Sequence, residues 1–211
     1  MNRLIIYAAD IGSVQKGNFG WARRAVQPLE SEQRVSNTPS SLVAGIVGDL
    51  QRGTPVALGF ECPQWMDVRD DPCDLTRARD GEGNRAWSAA AGAGALATGI
   101  VQTAWLLREI RQSAGTAEAF LDWASFAAVQ RGLFLWEAFV TKRAKGKTHQ
   151  GDAKAAVDAF ADAMPAPPAV NAVRPRGPAI SLLGAALLWS DWISEPDAIR
   201  TPCLVVRAKE I

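Results

Sequence analysis

The chain has little of what most often marks a functional class. Its 211 residues contain one histidine, His149, and three cysteines, Cys62, Cys73 and Cys203. The cysteines are odd in number and scattered, with neither a zinc-site spacing nor a disulfide framework, and they predict a reducing, cytoplasmic setting. A net charge of +1 excludes overall attraction to a polyanion, so nucleic-acid binding would have to come from a local patch. The apolar run near the N-terminus is broken at Asp10 and too short for a signal peptide. No run approaches the ~18 apolar residues of a membrane span, so no membrane association is expected. What the chain does have is ordinary for a soluble fold. With 48% hydrophobic and 21% charged residues, it is long enough to bury one full core.

The elements can be read from hydrophobic periodicity. "LIIYAAD" is a buried strand ending on Asp10, and "FGWARRAV" returns as its antiparallel partner after turn residues Gly17, Asn18 and Gly20. Leu42, Val43, Ile46, Val47 and Leu50 recur at helical spacing, which predicts a helix over 40–52. "TPVALGFECP" is a buried strand ending at Glu61, stopped by Pro63. A long charged connection follows, then the small-residue-rich helix "AWSAAAGAGALATGIVQTAWLLREIRQ". "TAEAFLDWASFAAVQ" predicts a further helix capped by Thr116, and "GLFLWEAFV" a strand with Glu137 embedded in it. The basic loop "TKRAKGKTHQG" leads to the helix "DAKAAVDAFADAM". "PAPPAVNAVRPRGP" predicts an extended linker, "AISLLGAALLWSDWI" a helix and "PCLVVRA" a last strand. An opening hairpin followed by strand–helix alternation implies an α/β sheet of mixed direction covered by helices. The Ala-rich stretch between Glu61 and Leu133 is expected to pack outside it or cap one end.

Asp10 and Glu61 both end strands, and residues beyond the carboxyl ends of parallel strands share a crevice. Asp152, Asp158 and Asp162 lie on the later helix, with His149 three residues before Asp152. Hard oxygen ligands gathered in this way suit Mg²⁺ or Mn²⁺ and phosphodiester hydrolysis. Each residue also has a plainer role. Asp10 can cap its turn through the amides of Gly12 and Ser13, and Asp152 can be a helix N-cap. Asp162 reads as a surface charge, Glu137 as the partner of a nearby cation such as Arg131, and His149 as an exposed loop residue or a general base. Lys142, Arg143, Lys145 and Lys147 are a solvated loop unless they lie beside the carboxylates, where they would hold phosphates. Arg77, Arg79 and Arg85, with Trp87, are expected to line the crevice, unless those arginines pair with Asp70, Asp71, Asp74 and Asp80 at the surface.

In order along the chain, "IIYAADIGSVQKGNFGWA", "VALGFECP", "CDLTRARDGEGNRAW", "FLWEAFV" and "HQGDAKAAVDAFADAM" resemble an uncharacterised predicted-nuclease family with a ribonuclease H-like fold. That family is distantly similar to RuvC-type resolvases. The resemblance implies one ribonuclease H-like domain over 1–211, with residues 64–130 as loop and helical insertion. It implies Asp10 as the central metal-bridging acid, Glu61 as the second ligand and Asp158 as the helix ligand, with Asp152 a further catalytic acid. Arg77, Arg85, Lys142, Arg143, Lys147 and His149 are the expected substrate-binding residues, with a nucleic acid as the partner. Such enzymes often carry an acid or histidine three residues before the helix Asp, where this chain has Ala155, so Asp152 or His149 would substitute. That departure motivates an alternative, a non-catalytic binding or regulatory module on the same scaffold. A third class, the sugar-kinase-like phosphotransferases suggested by "DIGS", requires a duplicated domain that the chain is too short to hold.

Overall fold

The structure, a computed structural model, describes residues 3–26, 34–83, 86–141 and 144–209. Its centre is a seven-stranded mixed sheet. Strands β1 (Ile5–Asp10) and β2 (Gly20–Ala25) form the expected hairpin, and β3 (Arg34–Ser36) extends it antiparallel to β2. On its other side β1 pairs in parallel with β4 (Val56–Glu61), and β4 pairs in parallel with β7 (Leu133–Phe139). The far edge of β7 is shared by two short parallel strands, β6 (Ala119–Phe120) at its start and β9 (Val205–Arg207) at its end. Residues β5 (Trp65–Asp67) and β8 (Ala179–Ser181) pair antiparallel as a separate two-stranded sheet.

Alternation along β1 sends its side chains into two cores. Ile5, Tyr7 and Ala9 join Leu58 and Phe60 of β4 on one face, under α1 (Pro39–Gln51) and α2 (Ala90–Ser113). Leu4, Ile6 and Ala8 join Phe134 and Trp136 of β7 on the other face, under α3 (Trp123–Val129) and α4 (His149–Asp162). The strand interiors are fully buried, which is why they read as near-continuous apolar runs. A fifth helix, α5 (Leu182–Trp189), packs on α2.

Several expectations change. The stretch 116–130 is not one helix capped by Thr116. Asp122 accepts a hydrogen bond from the Ser125 amide and starts α3, so the residues before it are free to form β6. The Pro-rich stretch includes a 3-10 turn at Pro167–Val170, and "AIS" is strand β8 rather than the start of α5. The Ala-rich insertion covers one face of the sheet and also contributes to the core. In α2, Leu106, Leu107 and Ile110 are buried in the first core. At 24 residues, with a mean hydropathy of 1.3 in its most apolar window, α2 is also long and apolar enough to cross a membrane by length and composition. Unbroken large apolar residues understate this, because Ala and Gly supply much of the apolar character.

Candidate functional site

The carboxyl ends of β1 and β4 bring the first two acids together. Asp10 pairs with Glu61 in the parallel register, so both side chains emerge on the face covered by α4. Asp10 is buried at 3% exposure, and Glu61 retains 15% of its side-chain surface. Their carboxyls share a hydrogen bond.

The third acid arrives through α4. Its N-terminus crosses β2 at Gly20, where a Cβ would collide with the backbone of His149 and Gln150. Glycine therefore sets how closely the helix approaches β1. Thr148 is the N-cap and accepts a hydrogen bond from the Gly151 amide at 3.1 Å. Asp152 lies in the first turn, buried, and accepts one from the Gly146 amide. Thus Asp152 is not the cap. His149 Nδ1 sits 2.5 Å from Asp10 Oδ2. The amide of Gly12, an alternative partner for Asp10, instead donates to Gln102 Oε1 at 3.2 Å. Lys145 Nζ lies 3.6 Å from both Glu61 and Asp152.

Burial pushes the Asp10 carboxyl up to about 6, with the hydrogen bond from Glu61 opposing and Asp152 reinforcing the rise. Burial pushes Glu61 further, to about 9, and Asp10 adds to this by accepting its proton and repelling its charge. Both shifts run upward, so the pair as a unit holds a proton more tightly than isolated carboxyls do. For Lys145, burial works against the charged form, but Glu61, Asp152 and Asp10 outweigh it and hold the ammonium above its ordinary value. A buried group of acids with this little compensating charge is characteristic of functional sites.

The helix acid expected from the resemblance lies elsewhere. Asp158 bonds Arg24 at 2.5 Å and Lys154 at 2.9 Å. Arg24 stands opposite Ile6, four residues down β1 from Asp10, a distance of roughly 13 Å along the strand. Six helical residues rotate Asp158 away from the face carrying Asp152. Arg77 pairs with Asp74 at 2.9 Å with 67% of its side chain exposed, a local i,i+3 contact that ties it to its own loop. Lys147 is exposed. Arg85, Lys142 and Arg143 lie outside the described residues. Asp162 is a surface charge, as expected, paired with Lys209 at 2.9 Å.

Arg79 does reach the cleft but as part of its floor. Its guanidinium grips Glu137 at 2.5 and 2.8 Å and Glu82 at 2.9 Å. Glu137 thus pairs with Arg79 rather than with Arg131. Above this floor a cleft of about 340 Å³ runs from Glu61 and Lys145 past Pro63 and Trp87 to the first turn of α2. Lys145 was legible only as one member of a basic run, and nothing local sets it apart, because its contacts with Glu61 and Asp152 are made by tertiary packing. Among the described residues, no three His, Cys, Asp or Glu side chains stand as a ready-made metal-binding group. Comparison with protein-family models, with curated proteins and with solved structures returns no match.

Proposed function

We propose that the protein is a divalent-metal-dependent nuclease whose reaction centre is Asp10, Glu61 and Asp152, on a ribonuclease H-like scaffold. One observation carries the reading: three carboxylates converge from two adjacent parallel strand ends and the first turn of a helix, facing a single lysine and histidine. A sheet in which β1 is antiparallel to β2 and parallel to β4, with its acids at one end, supports the scaffold assignment. The donor chemistry suits Mg²⁺ or Mn²⁺, although the side chains as they stand form no ready metal group among the described residues and an ion would take the place that Lys145 holds between Glu61 and Asp152. The donors are hard oxygens, and the proton shared by Asp10 and Glu61 neutralises oxygens that a divalent cation would neutralise instead. Such an ion supplies Lewis-acid stabilisation of phosphoryl oxygens and lowers the pKa of water.

The chain's own groups do the rest. His149, oriented through Nδ1 by Asp10, leaves Nε2 available to take a proton from an attacking water. Asp10 fixes the imidazole ring. Lys145 adds positive charge at the mouth of the cleft, where a phosphate would approach Glu61. Phosphodiester cleavage should require Mn²⁺ or Mg²⁺, with Mn²⁺ the better because Mg²⁺ demands stricter octahedral geometry. The assay is a panel of single-stranded, duplex, hybrid and branched substrates, with and without chelator. Asp10→Asn and Asp152→Asn should abolish cleavage and calorimetric Mn²⁺ binding. Equal residual cleavage by wild type and both variants would sink the reading.

A second reading has its own observation. Lys145 already sits between Glu61 and Asp152 as a built-in cation, which suits a nucleic-acid-binding module that needs no metal. Substrate binding unchanged by chelator, without cleavage in any metal, would favour it.

A further inference from the structure

The cleft beside the acids has properties that the acids do not explain. Its wall is made of small residues, Ala89 to Gly92 and Ala95, at the start of α2. Its floor is the Arg79–Glu137 pair, in which both carboxylate oxygens already accept hydrogen bonds. Trp87 continues the same wall, its carbonyl close to where a Cβ on Gly92 would stand; it is part-exposed, and its indole has no ring or hydrogen-bond partner among the described residues. Thr141 also lines the cleft. Its hydroxyl is buried and has no hydrogen-bond partner among the described residues, and Ala89, at the N-cap of α2, makes no side-chain cap.

A slot walled by small residues and one aromatic side chain, with a lysine at its mouth, suits a flat heteroaromatic ring attached to a phosphate. We infer that this cleft is a pocket for one unstacked nucleobase, held against Trp87 with its phosphate towards Lys145. The inference rests on the nuclease reading and narrows its substrate class. At about 340 Å³ the slot lies near the lower end of the ~300–1,000 Å³ range of ligand pockets, room for one nucleotide. A stacked duplex cannot enter it. The substrate is therefore single-stranded, or has a base extruded at the scissile position. Base–aromatic stacking is tolerant of base identity, so the pocket selects for an unpaired base more than for a particular one.

The test uses the full-length protein in chelator, so that binding is read apart from hydrolysis. Calorimetric titration compares a nucleoside 5′-monophosphate with ribose 5-phosphate, which carries the same phosphate without a base. The nucleotide should bind roughly ten-fold or more tightly. Trp87→Ala should abolish that difference while leaving ribose phosphate unaffected, and Trp87→Phe, which restores an aromatic plane, should recover most of it. Thermal unfolding of each variant guards against a folding defect; Trp87→Phe decides the matter if Trp87→Ala is unstable. Equal affinity for the two ligands, no nucleotide binding at millimolar concentration, or a base-dependent difference that survives both substitutions would overturn the pocket. Base-dependent binding that requires Trp87, in a protein that cleaves nothing in Mn²⁺, would leave the pocket standing and remove the nuclease reading.

Discussion

Two buried acid clusters lie on opposite faces of the same sheet, one residue of register apart. Phe60 pairs with Glu137, and the next residue, Glu61, points the other way. On the α2 face, Glu137 and Glu82 are saturated by Arg79 and by the amides of Gln64 and Arg79. On the α4 face, Asp10 and Glu61 lean on one another, with His149 at Asp10 and Lys145 no closer than 3.6 Å to Glu61. Complete hydrogen bonding makes the first cluster part of the architecture. The second has proton and charge left to exchange, and that separates a site from a strut.

The largest expected effect breaks the strut. Arg79→Leu leaves two uncompensated carboxylates in the core and should cost about 3–5 kcal/mol in urea unfolding. A loss below ~1 kcal/mol would mean that the two clusters are energetically alike. Gly20→Ala comes next. It pushes the start of α4 off β2 and should cost about 1–3 kcal/mol by overpacking. It should also weaken Mn²⁺ affinity, since His149 and Asp152 ride on that turn; unchanged affinity would show that the close approach does not position them.

The pH dependence sharpens the contrast. Asp10 and Glu61 are raised from ordinary values of 3.8 and 4.5 to about 6 and about 9, so the folded protein holds protons that the unfolded chain releases. The stability this pair lends is complete below pH ~4 and is lost as pH rises through the two folded-state values. Metal-free protein should melt progressively lower from pH 5 to pH 9, and Glu61→Gln should remove most of that slope, a gain of more than about 1 kcal/mol at pH 9. A wild-type profile that is flat or rises over this interval would contradict the assignment. The smallest effect belongs to Asp158→Asn. Loss of its half-exposed pairs should cost at most about 1 kcal/mol and leave Mn²⁺ binding intact. If Asp158→Asn matched Asp152→Asn in metal affinity, the wrong helix acid would have been assigned to the site.

Local sequence determined the strands that end on Asp10 and Glu61, the helices α1 and α4, and the fact that an acid-bearing helix follows a basic loop. Apolar alternation and helical spacing are properties of neighbouring residues, so they survive without the rest of the chain. The split of 116–130 into β6 and α3 was also written there, in Asp122, but as a cap inside what looked like one helical pattern. Tertiary structure alone decided which helix acid meets Asp10. Asp152 and Asp158 differ in phase about α4 and by about 9 Å along its axis, and the docking of that helix on β2 at Gly20 brings the first turn, not the third, to Asp10. It likewise chose Arg79 rather than Arg131 for Glu137, across 58 residues of sequence. Strand periodicity says which face a side chain takes; packing between distant segments decides what it meets there.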